Sequence, residues 1–332
     1  MNEVNTSSNK KALTQEELLE KSMRRQKFMV DYVALAFLIL ILIGNAIFTP
    51  NFISAATLRN IVVQSTQIFL IGMGLTFVFA IGEIDISTGS MMCFIAVLMI
   101  KLFDVVGVVP AILIGLVTAA IIGGILGGII SYLNTIPVVV TMAFQMLLRG
   151  LALVISEGTS ISFNQPDLLW IGRLSFTSAK IPVQLIYIII FTLIFYFIAN
   201  KTVFGKRIAM IGNNKKAAKL CGINHQMYSV IVHAMVAVMA GIAGLISIAR
   251  TSAVAPTTLG LGVEMDCVAA VAIGGTNLKG GRPNVVGTLI GSIIIAVLFI
   301  TLVMHDIQYE AQQILKGAII VVSVLLRYEK KS

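Results

Sequence analysis

Long apolar runs separated by short polar clusters make up most of the chain. Ten of them approach the roughly 20 residues a helix needs to cross a bilayer core about 30 Å thick. They cover 31–48, 60–81, 89–103, 108–133, 138–156, 181–199, 228–249, 267–278, 285–304 and 308–326. The third and eighth are short, which suits broken helices packed inside a bundle. Most connections are tight, but 157–180, 201–227 and 251–264 are long. The pattern predicts an all-α polytopic membrane protein of about ten transmembrane helices over 31–326. A polar segment, 1–30, precedes them and a short tail, 327–332, follows. In the leading segment Thr14 with Glu17 forms a candidate capping box, so a surface helix over 15–27 and a frayed tail both remain open.

Composition agrees with lipid as the solvent: 58% of residues are hydrophobic and 12% charged, with a mean hydropathy of +0.97. A water-soluble surface needs more charge than that. The net charge of +9 is accounted for by topology, not by nucleic acid. With the N-terminus inside, all but seven of the 24 basic residues fall on inside segments. Of those seven, Arg149 and Lys316 lie within runs; Arg59, Lys101, Arg173, Lys180 and Arg250 lie at or near the outer side. The excess of inside charge predicts that both termini are cytoplasmic. The bilayer is then the first partner of the chain.

Two runs are interrupted in a way that ordinary helices are not. Gly82 to Ser90 reads GEIDISTGS, with Glu83 and Asp85 between glycines. Asp85 and Ser87 are candidates to cap the following helix, where the dipole and free amides favour such side chains, and the alternative is a gate. The second break holds Gly274, Gly275 and Asn277, and its Ala-Ile-Gly opening echoes residues 80–82. Paired glycine-interrupted helices are how transporter folds present backbone groups to a path at mid-membrane.

Polar residues within the runs are costly in lipid and should face protein or water. Asn60, Gln64 and Gln67 share one face of the second run, and Thr141, Gln145 and Arg149 one face of the fifth. Amides both donate to and accept from hydroxyls, so these stripes fit a path for a hydroxylated solute, while interhelical hydrogen bonding uses the same residues. Arg149 is expected in a structural ion pair with Glu83 or Asp85, or at a helix end.

Catalytic chemistry has little to stand on. His225, His233 and His305 lack metal-ligand spacing, and Cys93, Cys221 and Cys267 lie far apart, so no metal, cofactor or disulfide framework is expected. Neither a nucleophile elbow nor a phosphate-binding loop of the NTPase kind occurs, so uptake must be driven by another chain or by an ion gradient. An ion-driven secondary transporter would use Glu83 and Asp85, which sit near a helix end instead of deep in a run.

The same residues resemble the ribose-type permease family of bacterial ABC importers. Residues 82–90 are similar to that family's G-G-I-D-L-S-V-G-S, departing at Glu83, where Gly is usual. Leu133, Asn134, Thr135, Ile136 and Pro137, followed by Thr141 and by Arg149 and Gly150, resemble the family's entry to its fifth span. Residues 204–223 resemble its main cytoplasmic loop, and 264–291 its C-terminal signature. The resemblance implies a type II-like importer permease in the bacterial inner membrane with no catalytic residue of its own. It implies two ATP-binding subunits on the cytoplasmic face, which hold the ATP, a substrate-binding protein outside, and a second permease copy, identical or related. Asn60, Gln64, Gln67, Asn134, Thr141 and Gln145 would line the path. Glu83, Asp85, Ser87, Gly274, Gly275 and Asn277 would form gates. Gly205, Lys206, Arg207, Ala217, Ala218, Leu220 and Gly222 of loop 201–227 would couple to the ATPase. Pentoses, hexoses, a furanose-like signal and nucleosides all fit as solutes.

Overall fold

A computed structural model describes residues 34–176, 181–308, 310–315 and 317–318. The candidate helix over 15–27, the tail 327–332 and most of the tenth predicted run lie outside the described residues. Seven helices are long and apolar enough to cross a membrane. These are α2 (Ala55–Ala80), α3 (Thr88–Val106), α4 (Val108–Tyr132), α5 (Pro137–Ile155), α7 (Gln184–Lys201), α10 (His225–Thr251) and α12 (Val285–Met304). Two shorter apolar helices, α1 (Ala34–Phe48) and α11 (Val263–Ile273), occupy the first and eighth predicted runs. Small helices fill the connections: α6 (Leu169–Arg173), α8 (Val203–Asn213) and α9 (Lys215–Leu220).

The count of spans long enough to cross alone is therefore seven, not ten, among the described residues. The third run is full length, because its polar opening at Thr88 and its last turn to Val106 are helical. The eighth is short for a physical reason: Gly262 and Gly275 take positive φ, 75° and 95°, and stop α11 at both ends.

α10 is the axis of the bundle, packed against α4, α2 and α3, and α2 in turn carries α12, α11 and α7. Small residues make this possible. Gly123 and Gly127 of α4 bring that helix onto the α10 backbone at His233, Ala234, Ser229 and Val230, and Gly74 of α2 lies against Val236. Without a hydrophobic drive between helices in lipid, such close approach is what dispersion requires. α2 and α10 are mostly buried, whereas α4, α5 and α7 keep apolar faces on the outside, as at Leu113, Val139 and Leu193.

Four helices start at one end of the bundle with a polar cap that satisfies an otherwise free amide. Thr202 caps α8, Asn214 caps α9, Asn224 caps α10 and Asn284 caps α12. This is called the α8–α9 end below. Residues 156–176 and 181–183 and the C-terminus of α10 form the opposite end.

Candidate functional site

Within the α8–α9 end, three backbone segments meet with no side chain between them. The amide of Gly281 donates to the carbonyl of Ala80, the last residue of α2, at 2.9 Å. Gly212 of α8 lies against that carbonyl and the Gly281 amide, and Gly280 lies against the Gly212 carbonyl. A β-carbon at Gly212 or Gly280 would overlap backbone atoms, and Gly280 and Gly281 also hold positive φ. Both helix breaks read from the sequence, which are non-helical over 82–87 and 274–284, are thus joined at one point, and α8 is wedged into it. Loop 201–227 is not a loose connection. Gly205 and Ala218 are buried, while Lys206, Arg207, Ala217, Leu220 and Gly222 are exposed; Leu220, at 90%, is the most prominent apolar side chain.

Glu83 stands beside this junction, 1% exposed. Its Oε1 accepts from His225 Nε2 at 2.9 Å and lies 3.5 Å from Lys215 Nζ; its Oε2 accepts from Ser229 Oγ at 2.7 Å and lies 3.7 Å from His233 Nδ1. Asp85 does not cap α3. Its Oδ1 accepts from the amide and hydroxyl of Ser87, at 2.8 and 2.7 Å, which closes a turn one step ahead of the helix. Asn277 acts likewise in the second break, its Oδ1 accepting from the Lys279 amide at 2.9 Å.

A second cluster forms about halfway along the bundle. α11 rises from the α8–α9 end, where Gly274 packs on Gly287 and accepts from Asn284, so its 11 residues reach about 16 Å. That is half the thickness of a bilayer core. Its first turn carries buried Glu264, whose Oε1 accepts from Gln145 Nε2 of α5 at 3.0 Å. The carboxylate also sits against Gly89, at the start of α3, and Gly89 is pressed against Gly260. Two helix N-termini therefore flank one carboxylate, which their dipoles favour. Glu264 Oε2 and Thr88 Oγ1 are buried without a hydrogen-bond partner in this cluster.

Arg149, one turn beyond Gln145, donates from Nη1 to the carbonyls of Pro256 and Leu259, both at 2.8 Å. This replaces the ion pair with Glu83 or Asp85. The segment after α10 folds back into the bundle, its carbonyls need donors, and Arg149 is the cation at that depth. Thr141 is buried with its hydroxyl on the carbonyl of Val138. Asn60 is exposed, and Gln64 and Gln67 are half-buried. Because α2 packs on α10, α12, α11 and α7, and α5 on α3 and α4, the two stripes stand on separate parts of the bundle. Asn134 is exposed in the α4–α5 turn at φ 52°, away from both.

The opposite end is tied by side chains, a short ladder and one glycine contact, Gly172 against the backbone of Ala249 and Arg250. Ile161–Ser162 pairs antiparallel with Ala253–Val254. Arg173 donates from Nε to the carbonyl of Arg250 at 2.6 Å and from Nη2 to Ser252 Oγ at 3.2 Å. The described part of the first long stretch, 157–176, and the start of the second, 251–254, are thereby one platform, with a cavity of about 180 Å³ lined by Phe163, Gln165, Pro166, Leu169, Arg173 and others, while the rest of the second stretch turns into the bundle.

Sequence reasoning found Gln145 and Arg149 but missed Glu264, His225, Ser229 and Gly212 as members of these clusters. An acid shortly before the eighth apolar run was the available signal for Glu264; nothing in the order of residues signals the others.

The family model described as branched-chain amino acid transport system / permease component matches residues 57–324. The chain is 32% identical to the ribose import permease protein of Haemophilus influenzae over 307 residues, covering 90% of this chain and 93% of that one. It is 33% identical to the ribose import permease protein of Bacillus subtilis over 300 residues, covering 89% and 92%. To the galactofuranose transporter permease protein of Escherichia coli it is 29% identical over 313 residues, covering 91% of each. No solved structure matches the chain.

Proposed function

The chain belongs to this permease family, and on that premise we propose that it is the membrane-spanning permease subunit of a bacterial ABC importer for a sugar-like solute. It works as a multi-pass protein of the inner membrane; ATP is bound and hydrolysed by separate subunits. With the α8–α9 end in the cytoplasm, α1 leads outward and α12 crosses from the inside. The basic residues of 201–227 then obey the positive-inside rule.

The observation that carries the reading is the glycine junction, where α8 is wedged between the two helix breaks. A subunit that moved loop 201–227 would move the breaks with it. α9, capped by Asn214 and ending in the exposed Leu220, is the coupling element that enters a groove on the ATPase. Nucleotide binding shifts the population between outward-open and inward-open states, since a bistable element is biased by a ligand.

The solute path runs past the halfway cluster. Gln145, Glu264 and Thr88 supply acceptors and donors suited to the hydroxyls of a ribose-, allose- or galactofuranose-like ring, the solutes of the relatives. Of the two polar stripes, the one on α5 reaches this path through Gln145, and a second copy of the permease closes it. The platform at 156–176 and 252–254 receives the extracytoplasmic binding protein.

Pull-down of the tagged chain in mild detergent tests the reading. Wild type retains an ATP-binding subunit, and Leu220→Glu, which changes only an exposed side chain, loses it. Recovery of no ATPase, or equal recovery by Leu220→Glu, would remove α9 as the coupling element.

A further inference from the structure

The glycine junction passes force in one direction better than the other. Gly212 pressed on Ala80 and Gly281 resists compression at once, because backbone atoms cannot interpenetrate. Withdrawal of α8 is a different matter, because the hydrogen bond at the junction, from Gly281 to Ala80, joins the two breaks to each other and not to α8. A transport cycle needs both strokes, since the breaks must return when the nucleotide leaves.

Glu83 supplies resistance to the return stroke. Its backbone is held to α2: the Glu83 amide donates to the carbonyl of Val78 at 3.1 Å, and the Gly82 amide to that of Phe79 at 2.8 Å. Its side chain is held from the other side, by Lys215 at the start of α9 and by His225 and Ser229 in the first turns of α10. Ser229 in turn touches α4, its hydroxyl 3.3 Å from the carbonyl of Gly127, and His233 donates from Nδ1 to the carbonyl of Ser229 at 2.9 Å. One buried carboxylate therefore bridges the break to the coupling element and to the axis helix. The bonds from His225 and Ser229 of α10 are short, as charge-assisted hydrogen bonds are, and the contact with α9 is the longer ion pair to Lys215, at 3.5 Å.

We propose that Glu83 is a positioning residue for coupling, the tie through which withdrawal of α9 draws the 82–87 break, and with it the start of α3, back toward the cytoplasmic side. This rests on the reading of α9 as the coupling element. The consequence lies at the halfway cluster: α3 begins five residues after Glu83, and Gly89 forms one wall of the Glu264 site. A tie that moves the start of α3 also opens or closes that wall.

Hydrogen exchange on the full assembly with its co-purified ATP-binding subunits tests the tie, comparing the nucleotide-free complex with one trapped by ATP and vanadate. In wild type, exchange at 215–222 and at 82–90 both change, the latter by about tenfold. Glu83→Gln keeps the response of 215–222 and reduces that of 82–90 to about twofold or less. Should Glu83→Gln fail to assemble, Lys215→Ala combined with His225→Ala leaves Ser229 on the carboxylate and is read the same way, with the same expectation. A full response of 82–90 in the variant that assembles overturns the tie while leaving the coupling site intact. Absence of any response at 215–222 in wild type overturns the coupling site, and the tie with it.

Discussion

The two ends of the bundle are held together by different means. At the α8–α9 end, Ala80, Gly212, Gly280 and Gly281 meet backbone to backbone, and a buried carboxylate stands alongside. At the opposite end one glycine, Gly172, lies against the backbone of Ala249 and Arg250, and the remaining ties are side chains and a ladder of two residues per strand: Gln184 donates to the Gly172 carbonyl, and Arg173 reaches over exposed surface to Arg250 and Ser252. Backbone contact leaves no side chain to rearrange, so displacement on one side appears on the other. Exposed side-chain bonds compete with water and give way locally. The first construction suits transmission of movement, the second a surface that must accept and release a partner.

Substitutions at the two ends should separate these constructions. The largest effect is expected from Gly212→Ala, whose β-carbon overlaps the Ala80 carbonyl and the Gly281 amide. Forced overpacking against backbone should destabilise by about 3 kcal/mol. Thermal unfolding in detergent reads it, against Gly150→Ala, where a β-carbon meets open space. Equal midpoints for the two variants would mean that the junction yields.

A smaller effect, with a pH signature, is expected at Glu83. Burial disfavours its charged form. The His225 hydrogen bond, the nearby His233, the Ser229 hydroxyl and Lys215 outweigh burial and hold the carboxyl below its ordinary value of 4.5. A carboxyl depressed by folding contributes stability above its unfolded value, and that contribution is lost as pH falls through the folded one. The wild-type midpoint should hold from pH 7 down to the ordinary carboxylate range and fall below it. Glu83→Gln should lower the midpoint at pH 7 by about 2 kcal/mol equivalent and flatten the acid limb. Parallel acid limbs in the two proteins would exclude Glu83 as their source.

The smallest effect belongs to the opposite end. Arg173→Ala removes two exposed hydrogen bonds and should change stability by about 1 kcal/mol or less. Uptake by cells is the better readout there: a loss of uptake with an unchanged midpoint would place Arg173 in the docking surface.

Much of this molecule was legible as sequence. Membrane residence, the helical class and the positions of both breaks follow from apolar runs punctuated by glycine and acid, since lipid tolerates neither free backbone groups nor unpaired charge. Gln145 and Arg149 stood out for the same reason. Their partners did not. Arg149 was expected to meet a carboxylate, but the segment after α10 turns back into the bundle and presents the carbonyls of Pro256 and Leu259 first. The eighth run was placed several residues late because hydropathy does not register the left-handed glycine at 262 that opens α11.

The sequence by itself determined that the chain lives in a bilayer, where it must break its helices, and that no side-chain set for catalysis is on offer. These are properties of local composition, which the solvent judges residue by residue. Tertiary structure alone decided that the breaks at 82–87 and 274–284 share one junction with Gly212, that Glu83 ties α9 and α10 to the first of them, and that Glu264 lies between two helix starts. Each depends on segments more than a hundred residues apart meeting, through backbone at the glycine junction and through side chains at Glu83 and Glu264. Such closeness is set by the shape of the whole bundle, with small residues only permitting it.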